Sequence, residues 1–188
     1  MIILSILHNW KVEIKNTKIL DIGSGSGHWI KFYNKYFPSE ILGIDISKTS
    51  FDYLNNKFKN QKNINFSHGK AVDILTTIKN RFFIVNAIGV MFHIVDEDEL
   101  QTTIYKIYNS LTQNGFFIIS GHFGLLNNLN IQLDTKGNVN KRLRSFRYWK
   151  KILKKNGFQK VVLVKNNAYL KIDWLTPEAN IIIAIKKV

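Results

Sequence analysis

The sequence contains no cysteine. That absence excludes disulfides, zinc–thiolate sites and cysteine nucleophiles. It also lacks a long apolar run at its start: Met1 to Leu7 is followed at once by the polar pair His8-Asn9, with no basic stretch before it. A secretory leader needs that basic stretch and a membrane span needs about 20 apolar residues, so neither is read here and a cytoplasmic protein without a membrane partner is expected. Acids are scarce, 13 against 27 Lys and Arg, giving a formal charge of +14. Such a charge points to polyanions only where it clusters, because Lys, Asn and Ile are all plentiful, as an AT-rich coding sequence would make them. No internal repeat and no domain boundary is found. The chain has 188 residues, 45% apolar and 21% charged, which suits one folded domain with a core of its own.

The stretch Lys18 to Ile30, KILDIGSGSGHWI, organises the rest. An apolar strand leads into Asp21, then Gly23, Gly25 and Gly27 alternate with Ser24 and Ser26, and a helix start follows. Glycines admit a ligand where a Cβ would collide, and a helix start offers free N–H groups. A dinucleotide fingerprint places its third glycine three residues after the second. Here that position is His28. Asp21 ahead of the loop suits a positively charged ligand better than a pyrophosphate.

The later segments alternate strand and helix. Ile41 to Ser47 reads as a strand ending in Asp45, followed by a helix from Ser47 to Asn60. Ile64 to Leu75 holds a third strand and its exit, Phe82 to Asn86 a fourth, and Gly115 to Ser120 a fifth. The first helix is expected over about Ser26 to Tyr36. The acids Asp96 to Glu99 read as the first turn of a helix, where they complement its dipole; it is expected to run to about Leu111, with Asn114-Gly115 as the stop signal beyond. Leu125 to Asn140 reads as a polar excursion with a turn at Lys136-Gly137, and Phe146 to Asn156 as a helix capped by Ser145. Gln159 to Asn166 and Asn180 to Val188 close the chain as two strands without a helix between them, joined by a loop carrying Trp174 and Pro177. Adjacent strands so joined pair antiparallel.

Motif, order and strand ends together resemble the class I S-adenosylmethionine (SAM) dependent methyltransferases of the small-molecule type, over essentially the whole chain from Lys18. The resemblance implies an α/β, doubly wound, Rossmann-like sheet of seven mostly parallel strands in the order 3-2-1-4-5-7-6, with strand 7 antiparallel. It implies one domain over 1–188, with 1–17 a short N-terminal extension and 121–144 a loop and basic segment near the acceptor. The short extension leaves the site open, or closed by a second copy of the chain as a homodimer. Gly23, Ser24, Gly25, Ser26 and Gly27 would then hold the methionine part of SAM, Asp21 its amine and Asp45 its ribose hydroxyls. Ile46 would face the adenine, and Asn86 and Ala87 would line the cofactor. The family's acid after strand three is replaced by Lys70, with Asp73 as the substitute nearby.

For catalysis the resemblance singles out His93, after strand four, as a general base suited by its near-neutral pKa, with His122 facing the same site. Metal-dependent relatives of the catechol type need carboxylates after strands four and five; Asn86 and His122 stand there, so no metal is expected. Arg142 and Arg144 are candidates for an anionic group on a small-molecule or glycan-type acceptor. Two other readings stay open. One is an RNA-directed enzyme or nucleic-acid-binding SAM module, using the eight basic residues between Lys141 and Lys155 with Tyr148 or Trp149. The other is a SAM binder without catalysis.

Overall fold

The computed structural model describes residues 11–79, 81–121, 123–124, 130–164 and 180–187. Its strands are β1 (Lys18–Ile22), β2 (Glu40–Asp45), β3 (Ile64–His68), β4 (Phe82–Ile88), β5 (Leu111–Ser120), β6 (Asn130–Leu133), β7 (Val139–Leu143), β8 (Lys160–Val164) and β9 (Ile181–Ile185). Its α-helices are α1 (His28–Asn34), α2 (Lys48–Lys57), α3 (Ala71–Ile74), α4 (Glu97–Ser110) and α5 (Phe146–Lys155). Seven strands form one sheet in the order β3-β2-β1-β4-β5-β9-β8, in which β9 runs antiparallel to both its neighbours. Counting only the strands of this sheet, that is the expected 3-2-1-4-5-7-6.

Central strands are apolar on both faces because helices cover both faces. Along β1, Leu20 and Ile22 turn to a core shared with Leu100, Ile104, Trp149 and Leu153 of α4 and α5. Ile19 turns the other way, into a core with Ile30 and Tyr33 of α1 and with Ile14. Asp21, between Leu20 and Ile22, shares the α1 face with Ile19.

The helices differ from the sequence reading in ways their ends explain. α1 spans only seven residues, because Gly27 before it lies in the left-handed region at φ 78°. α2 starts where expected, with the Ser47 side chain accepting from the Ser50 N–H. α4 ends at Ser110, within a residue of the expected Leu111, but β5 begins directly at Leu111 rather than at Gly115. A register shift follows, and Asn114, at φ 58°, turns the backbone back into the ladder. Lys186, just past β9, donates to the carbonyls of Tyr108 and Leu111 at 3.0 and 2.8 Å. It thereby satisfies carbonyls at the C-terminal end of α4 that lack a helical partner.

The polar excursion contains structure that composition hid. β6 and β7 pair as an antiparallel hairpin, turned by Asp134 to Asn138 with Gly137 at φ 81°. The N-terminal residues 1–10, with Trp10, and the loop holding Trp174 and Pro177 lie outside the described residues. No helix among the described residues is long and apolar enough to cross a membrane.

Candidate active site

The carboxyl ends of β1 to β4 meet at one side of the sheet, where open α/β folds place their ligands. The glycine loop is tied there to β2: the N–H groups of Gly23 and Ser24 both donate to the Ile44 carbonyl, at 2.8 and 3.1 Å. The Gly25 N–H donates to Asp45 Oδ2 at 2.7 Å, while Asp45 Oδ1 accepts from the Ser47 N–H at 2.8 Å. Asp45 is therefore fixed beside the loop, and each of its oxygens keeps a lone pair for a further donor.

A cavity of about 450 Å³ opens over these strand ends. Gly23, Asp45, Ile46 and His93, all expected from the sequence, line it together. Ile46 is 66% exposed, a large apolar side chain left as a wall rather than as core. A Cβ on Gly23 would come within 2.7 Å of Val90, also a lining residue, so glycine is required there. Over Gly25 the space is open, with nothing nearer than 3.9 Å to such a Cβ.

Asp21 lies on the opposite face of β1 and is 1% exposed. Asn86 Nδ2 donates to its Oδ1 at 2.6 Å, and Tyr33 Oη donates to Asn86 Oδ1 at 3.2 Å. Asp21 Oδ2 is buried without a partner. Burial raises the carboxyl to about 7, against the lowering effect of the hydrogen bond from Asn86. An ionised carboxylate so placed is stabilised by a cation.

Several expected residues are placed differently. Ala87 is buried in the core with Leu20 and Ile22, while Asn86 faces Asp21. Adjacent strand residues point to opposite faces, so the two cannot line one wall, and neither borders the cavity. Asp73 is exposed, and on the short α3 it is Ala71 and Val72 that border the cavity. The carboxylates lining that side are Asp96 and Glu99, at the start of α4, and Glu99 accepts from Lys70 Nζ at 3.0 Å. Ser24 is buried and braces the Asp21 carbonyl at 2.9 Å, whereas Ser26 is exposed and its carbonyl accepts from Lys57.

Arg144 does not offer its charge to an acceptor. Its guanidinium is fully buried, donates to Glu97 Oε1 from Nε and Nη2 at 3.1 and 3.0 Å, and reaches the Ile94 carbonyl at 2.8 Å. Arg142 Nη1 joins the same oxygen at 3.1 Å, and Tyr148 Oη donates to Glu97 Oε2. Burial alone would raise Glu97, but Tyr148 and the two arginines outweigh it and hold the carboxyl below its usual range. The acidic run at 96–99 therefore does more than favour a helix start: Glu97 ties α4 to β7 and α5. Trp149 is buried in the core, and the hydroxyl of the half-buried Tyr148 is committed to Glu97.

His93 is exposed at the cavity edge. Its Nδ1 lies 3.1 Å from the Asn140 carbonyl of β7. A carbonyl only accepts, so Nδ1 carries the proton and Nε2 of the neutral ring keeps its lone pair. His122 lies outside the described residues. Among the described residues, no group of three or more His, Asp or Glu could hold a metal ion.

The family described as a methyltransferase domain matches residues 19–115, just over half of the chain and all the strand ends that build the cavity. The chain belongs to the class I SAM-dependent methyltransferases. Solved structures with the same fold include a Listeria monocytogenes protein assigned to the SAM-dependent methyltransferases, at 19% identity and TM-score 0.73, covering 99% of this chain and 100% of that one. A SAM-dependent methyltransferase from Mesorhizobium loti matches at 14% identity and TM-score 0.72, over 97% and 96% of the two chains. Phosphoethanolamine N-methyltransferase 2 of Haemonchus contortus, in complex with phosphomonomethylethanolamine and S-adenosylhomocysteine, matches at 18% identity and TM-score 0.72. There the match covers 98% of this chain and 52% of the other. No curated protein matches the chain in sequence.

SAM is the cofactor of this methyltransferase family, and the residues present fit it. The fit rests on the uncommitted Asp21 oxygen for a cation, the open space over Gly25 and the fixed Asp45 carboxylate for hydroxyl donors. Sequence reasoning missed Tyr33, Glu99 and the apolar wall of Val72, Val90, Ile94 and Val95. A signal existed only for the last, in the apolar residues that flank His93.

Proposed function

We propose that this protein moves a methyl group from SAM to a small-molecule acceptor without a metal. The observation that carries this reading is the shared cavity, on which the loop residue Gly23, the carboxylate of Asp45 and the imidazole of His93 converge. When bound, SAM supplies a methyl already activated on its sulfonium. The chain's own work is then to bind, orient and remove a proton. Asp45 would accept from the ribose hydroxyls, Ile46 would cover an adenine face, and the glycine loop would take the methionine part, its amine balanced by Asp21. His93 Nε2, with its lone pair uncommitted by the Asn140 contact, is suited to take a proton from the acceptor.

Metal independence is supported by Asn86, which stands where the catechol type carries a carboxylate and whose amide nitrogen donates to Asp21. A small acceptor is supported over RNA by the burial of Trp149, which removes that aromatic partner from the basic helix. Arg147, Lys150, Lys151, Lys154 and Lys155 remain as an exposed cationic stripe on α5.

Calorimetric titration with S-adenosylhomocysteine is expected to give one saturable site in the wild type. Asp45→Ala should bind roughly 10- to 100-fold more weakly, the loss of hydrogen bonds to a charged acceptor. Binding as tight as wild type would remove the ribose assignment, and no binding by wild type would end the enzyme reading. RNA affinity is expected to be confined to low salt, falling with a log–log slope no steeper than about −3.5, the value for five phosphate contacts on a single strand. A tight complex persisting at physiological salt would favour the RNA-directed enzyme instead.

A further inference from the structure

We infer that Tyr33 is a positioning residue for the charged end of the cofactor: its hydroxyl orients the Asn86 amide, which leaves Asp21 Oδ2 as the uncommitted acceptor. This rests on the reading that SAM binds at the glycine loop.

The directions of the hydrogen bonds follow from chemistry. Asp21 Oδ1 accepts at 2.6 Å from the Asn86 side chain, so the amide nitrogen faces the carboxylate. The amide oxygen then faces away, and Tyr33 Oη, 3.2 Å from it, must donate. Tyr33, Asn86 and Asp21 thus form a buried chain in which every bond points toward the carboxylate. All three side chains are at most 1% exposed. Tyr33 sits in an apolar layer with Ile14, Ile30, Ile41 and Ile84, where phenylalanine would fill the space without placing a hydroxyl out of water. The hydroxyl therefore matters through what it orients.

Without that donor, nothing among these contacts prevents the amide from turning its oxygen toward Asp21, an arrangement that only a protonated carboxyl tolerates. The groups acting on Asp21 from the elements packed around it are Asn86 on β4, Ser24 in the loop, Asp45 at the end of β2 and Tyr33 on α1. Asp45 opposes ionisation and is unaffected by the change, so a shift in Tyr33→Phe reads the chain itself.

The test compares S-adenosylhomocysteine, which carries the amino-acid end, with 5′-methylthioadenosine, which lacks it, from pH 6 to 9. In wild type, affinity for S-adenosylhomocysteine should rise with pH and level off above about 7, the value to which burial raises Asp21. In Tyr33→Phe the midpoint should move up by about one pH unit, the scale of one buried hydrogen bond. Affinity at pH 6.5 would then fall about five- to tenfold while affinity at pH 9 stays within about twofold. Affinity for 5′-methylthioadenosine should match wild type throughout and also reports that the variant is folded. Asn86→Ala should reproduce the shift and carries the test should Tyr33→Phe not fold. An unmoved midpoint, or equal losses for both ligands at every pH, would overturn this inference alone. Wild type that binds neither ligand would overturn the cofactor reading and this inference with it.

Discussion

Asp21→Asn is expected to bind S-adenosylhomocysteine roughly 10- to 100-fold more weakly than wild type, the scale of a lost charged contact, while the ligand-free protein becomes more heat-stable at pH 8. Both effects have one cause. Burial raises the Asp21 carboxyl from 3.8 to about 7. A group raised on folding contributes stability that is complete below its unfolded value and disappears as pH climbs through its folded value. For wild type the loss therefore runs from about pH 4 to about pH 7, and above that it reaches about 4 kcal/mol. Asparagine does not titrate, and its oxygen can still accept from Asn86. The two proteins should thus melt alike near pH 4 and diverge up to pH 7. At pH 8 the variant should lead by about 5 °C or more, given 2–4 °C per kcal/mol for a chain of this size. Calorimetric melts across that range check the first half and ligand titration the second. A melting difference that ignores pH would sink the linkage argument, and unchanged affinity would sink the amine assignment.

Glu97→Ala should destabilise the fold by about 3–5 kcal/mol, because it strands the buried charge of Arg144. Urea unfolding should show a lower midpoint, and the melting temperature should drop by about 10 °C. The double variant Glu97→Leu/Arg144→Met should recover much of this, since removing both charges leaves no unpaired ion in the core. If the single variant is as stable as wild type, the cluster is not a fastening of α4 to β7 and α5.

The comparison of sequence with structure divides along one physical line. Features set by local chemistry were legible: the glycine loop, the acid at the end of β2 and the Ser47 and Ser145 caps, each carried by residues near one another in the chain, whereas the order of strands came from the resemblance to a family. Features set by long-range pairing were not. Arg144 looked like an anion site because nothing adjacent shows that Glu97, 47 residues earlier, claims it. Asp73 looked like a substitute acid because the face that α3 presents depends on packing, while Glu99 supplies a carboxylate from another helix. The hairpin of β6 and β7 was hidden by the polar, Asn-rich composition around it, which reads as a loop even though Asn130 to Leu133 alternates polar and apolar residues.

The contact between Lys186 and the end of α4 also bears on how the protein is made. The ammonium reaches the carbonyl of Leu111 across 75 residues of chain. At its other end α4 supplies Glu99 to the cavity and Glu97 to the arginine cluster. While a ribosome is still adding residues 112 to 180, this helix has neither its C-terminal fastening nor the strand β9 that completes the sheet beside β5. A nascent chain stalled before β9 is therefore expected to hold the glycine loop while α4 is still unfastened at its C-terminal end.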